Sequence, residues 1–227
     1  MTQDNSATAV EQISRYLLEG DRIAARHSAL TLLPFEPIPK KRPSKKVQSA
    51  QQDTVTGVGL LTESRGATRT VSERVRLAVW LRDGFCCRYS DARLVFPPAL
   101  ELLSLLLPEE LPYDNPPHGK YALTHIIMWQ LWPAVDHVIP ISKSQDTVSA
   151  NALENLVTTS ASRNSEKSAS DPSVLGWSLL ISSPKAEWDG LVTWYVQYLT
   201  RDESWFEHPT SGKRLRRWYR RLVSAIA

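Results

Sequence analysis

Two segments near the C-terminus carry apolar residues at helical spacing. The first stripe comprises Trp188, Leu191, Val192, Tyr195, Tyr198 and Leu199. The second comprises Leu215, Trp218, Leu222 and Ile226. Stripes of this kind predict two amphipathic helices that pack on the body of the protein, with their tryptophans serving mainly as packing residues.

The N-terminal half has a weaker pattern that changes along the chain. Residues 9–30 predict one or two helices with a break at Gly20. Residues 34–70 are rich in Pro, Lys, Ser and Thr, which is typical of a linker or an extended arm. A further helix is expected from Thr70, which would cap it while Glu73 reaches back in a capping box, and "RDG" at 82–84 would end it.

The middle of the chain is apolar but lacks a clear period. Residues 85–96 predict a strand or tight turn with Asp91 at the turn. Residues 97–120 read as an insertion, with a short apolar helix followed by a Pro-rich loop that holds His118. Residues 121–140 predict one or two buried strands, or a helix in their first half, with His125 in the core.

Composition places the chain among ordinary globular proteins, with 42% hydrophobic and 22% charged residues. No apolar run is long enough for a membrane span, and the first residues lack a secretory signal pattern, so a cytoplasmic protein is expected. The two cysteines, Cys86 and Cys87, are adjacent, which disfavours a disulfide between them. They are too few for a zinc site made of cysteines alone.

Basic residues are concentrated in two runs, although the net charge is only +3. Such runs suit a polyanion, because each neutralised phosphate releases counterions. A solvated tail or helix face is the alternative for either run alone. The predicted nucleic-acid contacts are Lys40, Lys41, Arg42, Lys45, Lys46, Lys213, Arg214, Arg216, Arg217, Arg220 and Arg221.

The stretch "AVDHVIPISKSQDTVSANALENLVTTSASRNSEKS" contains groups suited to phosphodiester hydrolysis. A neutral histidine such as His137 can accept a proton near neutral pH. The carboxylate of Asp136 and an amide oxygen can hold a hard divalent ion. Asn164 and Lys167 lie one turn apart on a predicted short helix, and Asn155 begins a strand-like run. A buried Asp–His pair without catalytic function is the alternative.

The spacing of these residues resembles the HNH nuclease superfamily, whose fold is called ββα-metal. The matching elements are "DHVIP" at 136–140, Ser142, "NL" at 155–156, Asn164 and Lys167. The resemblance covers about residues 71–170 and implies an α+β fold. A ββα-metal core would then have flanking helices at both ends and an apolar insertion before the motif.

The resemblance also implies a role for each residue. His137 would be the general base, and Asp136 and Asn164 would bind a divalent metal, Mg²⁺ or Mn²⁺. Asn155 would hold the loop and orient His137, while Lys167 would contact phosphate or stabilise the charged transition state.

The zinc knuckles found in many members of that superfamily are not preserved. Cys87 takes the first cysteine position, but Ser90, Ser160 and Arg163 stand at the other three. We therefore expect no structural zinc and an apolar cluster in its place.

The resemblance predicts a metal-dependent DNA endonuclease in a restriction or phage-defence role, with double-stranded DNA as its expected partner. A non-catalytic DNA-binding scaffold and an RNA nuclease are alternatives, and a homodimer is left open. No membrane partner is expected. The predicted divisions are an N-terminal helical segment (1–33), a basic linker (34–70), the nuclease core (71–176, with the insertion at about 97–130) and C-terminal basic helices (177–227).

Overall fold

The computed structural model describes residues 3–32, 71–113, 124–144, 146–181, 185 and 187–226. The predicted linker at 34–70, with Lys40, Lys41, Arg42, Lys45 and Lys46, lies outside the described residues, as does His118. The divisions of the chain proposed from the sequence stay predictions.

Helices dominate the described part of the chain, with one small sheet. The helices are α1 (Gln3–Glu19), α2 (Arg22–Leu30), α3 (Glu73–Arg82), α4 (Pro97–Leu106), α5 (Ile126–Leu131), α6 (Thr147–Ala150), α7 (Ala161–Lys167), α8 (Val192–Arg201) and α9 (Gly212–Ile226). Strands β1 (Pro133–His137) and β2 (Leu156–Ser160) pair antiparallel. The predicted α+β class is confirmed.

The N-terminal helices follow the sequence prediction, but α3 begins later than predicted. Gly20 adopts a positive φ of 83° between α1 and α2, and Asp21 caps α2 by accepting from the amide of Ala24. Helix α3 is capped by Ser72, whose hydroxyl accepts from the amide of Val75. The cap of α3 is therefore Ser72, while Thr70, the cap expected from the sequence, lies outside the described residues.

The apolar run before the Asp–His pair divides into a helix and a strand. Helix α5 ends at Leu131, and β1 starts two residues later. The alternative with a helical first half is therefore the correct one. His125 is buried, and its Nδ1 accepts from the amide of Ile127, which confirms it as a core histidine.

The main core is centred on a group of aromatic rings that joins α3, α4, α8 and α9. Phe96 packs edge-on against Phe85, Tyr195 and Trp218, with ring centroids 5.3–6.0 Å apart. Trp80 packs against Trp218 at 6.2 Å. Edge-on pairs of this kind add to the free energy gained by burial. The packing role predicted for the C-terminal tryptophans is confirmed for Trp218.

The two C-terminal helices form where the apolar stripes predict them, with two corrections. Helix α8 begins at Val192. Trp188 and Leu191 therefore lie before the helix, although both are buried. Trp188 instead donates from its indole to the carbonyl of Leu94. In α9 the stripe ends at Leu222, because Ile226 is 56% exposed.

Asp83 connects the end of α3 to the sheet. Its carboxylate is fully buried and accepts from Arg82, from Arg88 and from the backbone amide of Thr158 in β2 at 2.8 Å. Arg82 also donates to the carbonyl of Leu156 at 2.7 Å. The position of β2 therefore depends on one buried ionic group.

None of the helices in the described ranges combines the length and the apolar character that crossing a membrane requires.

Replacing Asp83 should destabilise the protein in a pH-dependent manner. Burial raises the pKa of Asp83, but hydrogen bonds and charge from Arg82 and the Thr158 amide hold it below the ordinary value of 3.8. The stabilisation is therefore present above pH 3.8 and is lost as the pH falls through the depressed pKa. Asp83→Ala should lower the free energy of unfolding by about 3–5 kcal/mol near neutral pH, measured by urea denaturation.

The matched control for this measurement is Glu187→Ala, which removes an exposed carboxylate. A variant Asp83→Ala that unfolds at the same urea concentration as wild type at pH 7 would contradict the structural role of Asp83.

Candidate active site

The Asp–His pair lies at the end of β1, beside the start of β2. In the sheet, Asp136 is opposite Val157 and His137 is opposite Leu156. Helix α7 follows β2 directly, because Ser160 caps it by accepting from the amide of Arg163. Two antiparallel strands and a helix that crosses them thus form a ββα unit.

A cleft of about 270 Å³ lies between β1, the following loop and α7. Asp136, His137, Asn164 and Lys167 line it together. Asn155, the fifth residue predicted for the site, lies outside this lining and supports the loop instead. The structure thus places four predicted residues around one cavity.

The carboxylate of Asp136 is buried and has a donor on each oxygen. The Tyr89 hydroxyl donates to Oδ2 at 2.7 Å, and the Lys167 ammonium donates to Oδ1 at 3.2 Å. Burial, the hydrogen bond and the negative charge of Asp136 raise the pKa of Tyr89 above its ordinary value. Tyr89 therefore remains a neutral donor that fixes the orientation of the carboxylate.

Lys167 is more enclosed than its helical position suggests, with only 1% of the side chain exposed. Its ammonium also donates to the carbonyl of His137 at 2.8 Å. The same cation therefore ties α7 to the carboxylate and to the backbone of the pair in β1. Its predicted contact with phosphate stays a prediction, since the ammonium is directed to protein oxygens.

His137 is half-buried, and its Nε2 lies 2.9 Å from the amide oxygen of Asn151. An amide oxygen only accepts, so this contact places the ring proton of neutral His137 on Nε2. Nδ1 is then the acceptor nitrogen of the ring. A neutral imidazole in this tautomer can take a proton from water.

Asn155 closes the loop between β1 and β2. Its side-chain oxygen accepts from the amide of Ile139 at 2.8 Å, and its side-chain nitrogen donates to the carbonyls of Ile139 and Ala150. Its backbone carbonyl accepts from the amide of Val138, next to His137. These contacts agree with the loop-holding role that the resemblance implies.

A small apolar cluster surrounds Cys87, the first of the four knuckle positions. It comprises Cys87, Tyr89, Ala92, Leu94 and Val157, with Val138 and Trp177 packed against it. The Cys87 thiol is buried in this cluster and contacts the hydroxyl of Thr159 at 3.6 Å. An apolar cluster is thus present around Cys87, while its replacement of a structural zinc stays a prediction.

The donor set of the cleft is compatible with a hard divalent ion. In the described ranges no three His, Cys, Asp or Glu side chains come together as a metal site. Asp136 and Asn164 supply one carboxylate and one amide, and Mg²⁺ accepts few protein ligands because it keeps several waters. Each carboxylate oxygen has two acceptor sites, so the bonds from Tyr89 and Lys167 leave room for a further partner.

The basic residues predicted on α9 are mostly engaged within the protein. Arg214 pairs with Glu101, Arg216 with Glu207, and both Arg217 and Arg221 with Glu73. Lys213 and Arg220 are exposed. Contact of these six residues with nucleic acid stays a prediction. Four of them already form ion pairs with carboxylates of the protein.

Sequence reasoning missed Tyr89 and Asn151. Tyr89 lies two residues after Cys87, in the segment that the resemblance matches to the first zinc knuckle, and this was the available signal. Asn151 directly follows α6 in the connection between β1 and β2. A single polar residue there carries no pattern that marks it, and only the fold brings it to His137.

Removing the side-chain amide of Asn155 should open the loop beside His137. In Asn155→Ala the amide of Ile139 loses its acceptor, so its hydrogen exchange should accelerate. Nuclease activity should fall roughly 10- to 100-fold, as for other supporting residues around metal sites. The control is Ser142→Ala, an exposed residue of the same loop. Unchanged exchange at Ile139 would refute the assignment.

A comparison with protein-family models points to the same family as the spacing of the site residues. A family model described as HNH endonuclease matches residues 119–173, which include β1, β2 and α7. Comparisons with curated proteins and with solved structures give no significant match. HNH nucleases act on nucleic acids and generally use divalent metal ions. The segment that carries this cleft belongs to the HNH nuclease superfamily.

Proposed function

We propose that the protein is a metal-dependent DNA endonuclease that hydrolyses phosphodiester bonds in double-stranded DNA. The observation that carries the proposal is the cleft in which Asp136, His137, Asn164 and Lys167 meet. A carboxylate, an amide oxygen, an imidazole and a cation around one cavity supply the groups that phosphodiester hydrolysis needs.

Each residue has a chemical task in this proposal. His137 accepts the proton of the attacking water at the ring nitrogen that does not contact Asn151. Lys167 adds positive charge at the floor of the cleft, which favours a transition state rich in negative charge. Asn155 keeps the loop, and therefore His137, in place.

Asp136 and Asn164 would hold the divalent ion, Mg²⁺ or Mn²⁺. When bound, it would stabilise negative charge on the phosphate and the leaving oxygen. Tyr89 would keep the carboxylate of Asp136 in a single orientation towards the cleft.

A restriction or phage-defence role in the cytoplasm is the biological setting that we propose. A single ββα site cuts one strand, so the primary product on supercoiled plasmid should be the nicked circle. A linear product would require two successive nicks or a homodimer.

A non-catalytic DNA-binding scaffold is the second candidate. It is favoured by one observation, namely that both oxygens of Asp136 already accept hydrogen bonds from Tyr89 and Lys167. A carboxylate held in this way could serve the fold alone.

Cleavage of supercoiled plasmid separates the two candidates. With Mg²⁺ or Mn²⁺, wild-type protein should nick the plasmid, and EDTA should abolish the reaction. His137→Ala should lower the rate by roughly 100-fold or more, because the general base is lost. Exposed His27, replaced by Ala, is the matched control and should cut like wild type.

Equal behaviour of wild type and His137→Ala would refute the nuclease assignment and favour the scaffold. Faster cleavage of single-stranded RNA than of duplex DNA would redirect the assignment to an RNA nuclease.

A further inference from the structure

A second cavity, of about 460 Å³, adjoins the other side of His137. It lies between α3, the start of α4, β1 and α9, and we call it the α3–β1 groove. Arg76 and Trp80 line it from α3, and Trp132, Val135 and His137 line it from β1 and the residue before it. His137 therefore lines both this groove and the catalytic cleft.

The acidic residues that line the groove have ion-pair partners, whereas one of its arginines has none among the described residues. Glu101 is paired with Arg214 at 2.6 Å, and Glu73 is paired with Arg217 and Arg221. Each carboxylate of the groove thus already has a cation. Arg76 has no ion-pair partner within the part of the chain that the structure describes.

Two buried donors of the groove residues have no acceptor among the described residues. They are the Nε of Arg76 and the indole Nε1 of Trp80. Trp80 is only 3% exposed, so bulk water does not satisfy its N–H. A buried N–H without an acceptor costs free energy, and both of these unmatched groups are donors.

We propose that the α3–β1 groove binds the DNA backbone next to the scissile bond, and that Arg76 is its phosphate ligand. The inference rests on the proposed nuclease function. A guanidinium presents a planar set of donors that matches phosphate oxygens, and the strand attacked at His137 must continue past that residue. The tilted rings of Trp132 and Tyr113, 5.6 Å apart, provide an apolar wall for the nucleotide.

The choice of phosphate over a carboxylate ligand follows from the position of the groove. It shares His137 with the cleft, so any polymer whose phosphate reaches the cleft has its neighbouring phosphates within the same surface. Its unmatched charge is positive, and its unmatched hydrogen-bonding groups are all donors. A polyphosphate backbone meets both requirements.

The test measures DNA binding as a function of salt in the His137→Ala background, where the DNA stays intact. Fluorescence anisotropy with a labelled duplex gives Kd from 50 to 300 mM NaCl, a range of about sixfold. Arg76→Gln should weaken binding about tenfold. It should also reduce the slope of log K against log salt by about one, as expected for one lost phosphate contact.

Arg74→Gln is the matched control, because Arg74 is exposed on the same helix and does not line the groove. It should leave the slope unchanged. Arg76→Lys keeps the charge and should retain the slope with only a few-fold loss of affinity, which also tests the inference if Arg76→Gln folds poorly.

The inference is overturned if Arg76→Gln binds DNA as tightly as its His137→Ala parent, or if Arg74→Gln shows the same loss of affinity and the same change of slope. In an otherwise wild-type chain, Arg76→Gln should raise KM more than it lowers kcat. If wild-type protein fails to cleave plasmid, the nuclease proposal is refuted. The binding measurement still tests the role of Arg76 separately, because it does not depend on turnover.

Discussion

The buried carboxylate of Asp83 is the contact on which the candidate site depends. A sheet of two short strands is marginal by itself in water, so β1 and β2 need support from outside. Asp83 provides it by accepting from the amide of Thr158, while Arg82 reaches the carbonyl of Leu156. Helix α3 is in turn held by the aromatic core through Trp80. The two strands of the candidate site are thereby anchored to the helical part of the protein.

A second buried carboxylate, Asp136, organises the site itself. An apolar cluster that includes Tyr89 lies beside it. The hydroxyl of Tyr89 and the ammonium of Lys167 reach the two oxygens of Asp136 from different segments. Through Tyr89, this cluster therefore contributes directly to the orientation of the proposed metal ligand.

Local spacing allowed much of the site to be predicted, because β1, β2 and α7 belong to one continuous segment that brings Asp136, His137 and Asn164 together. The apolar run 121–140 was ambiguous, since apolar residues without a period suit a helix and a strand equally. Tyr89, Asn151 and the groove around Arg76 depend on packing between distant segments, which no spacing records. The burial of Lys167 was equally hidden, because a lysine on a short helix is normally solvated.

The central claim is that Asp136 and Asn164 together hold a divalent ion beside His137. A crystal structure of His137→Ala with uncleaved duplex DNA and Mn²⁺, with anomalous scattering to locate the metal, tests it most directly. The account predicts a manganese peak in the cleft, in contact with the carboxylate of Asp136 and the amide oxygen of Asn164. DNA bound over the cleft with no manganese there, or with manganese held only by other residues, would contradict it.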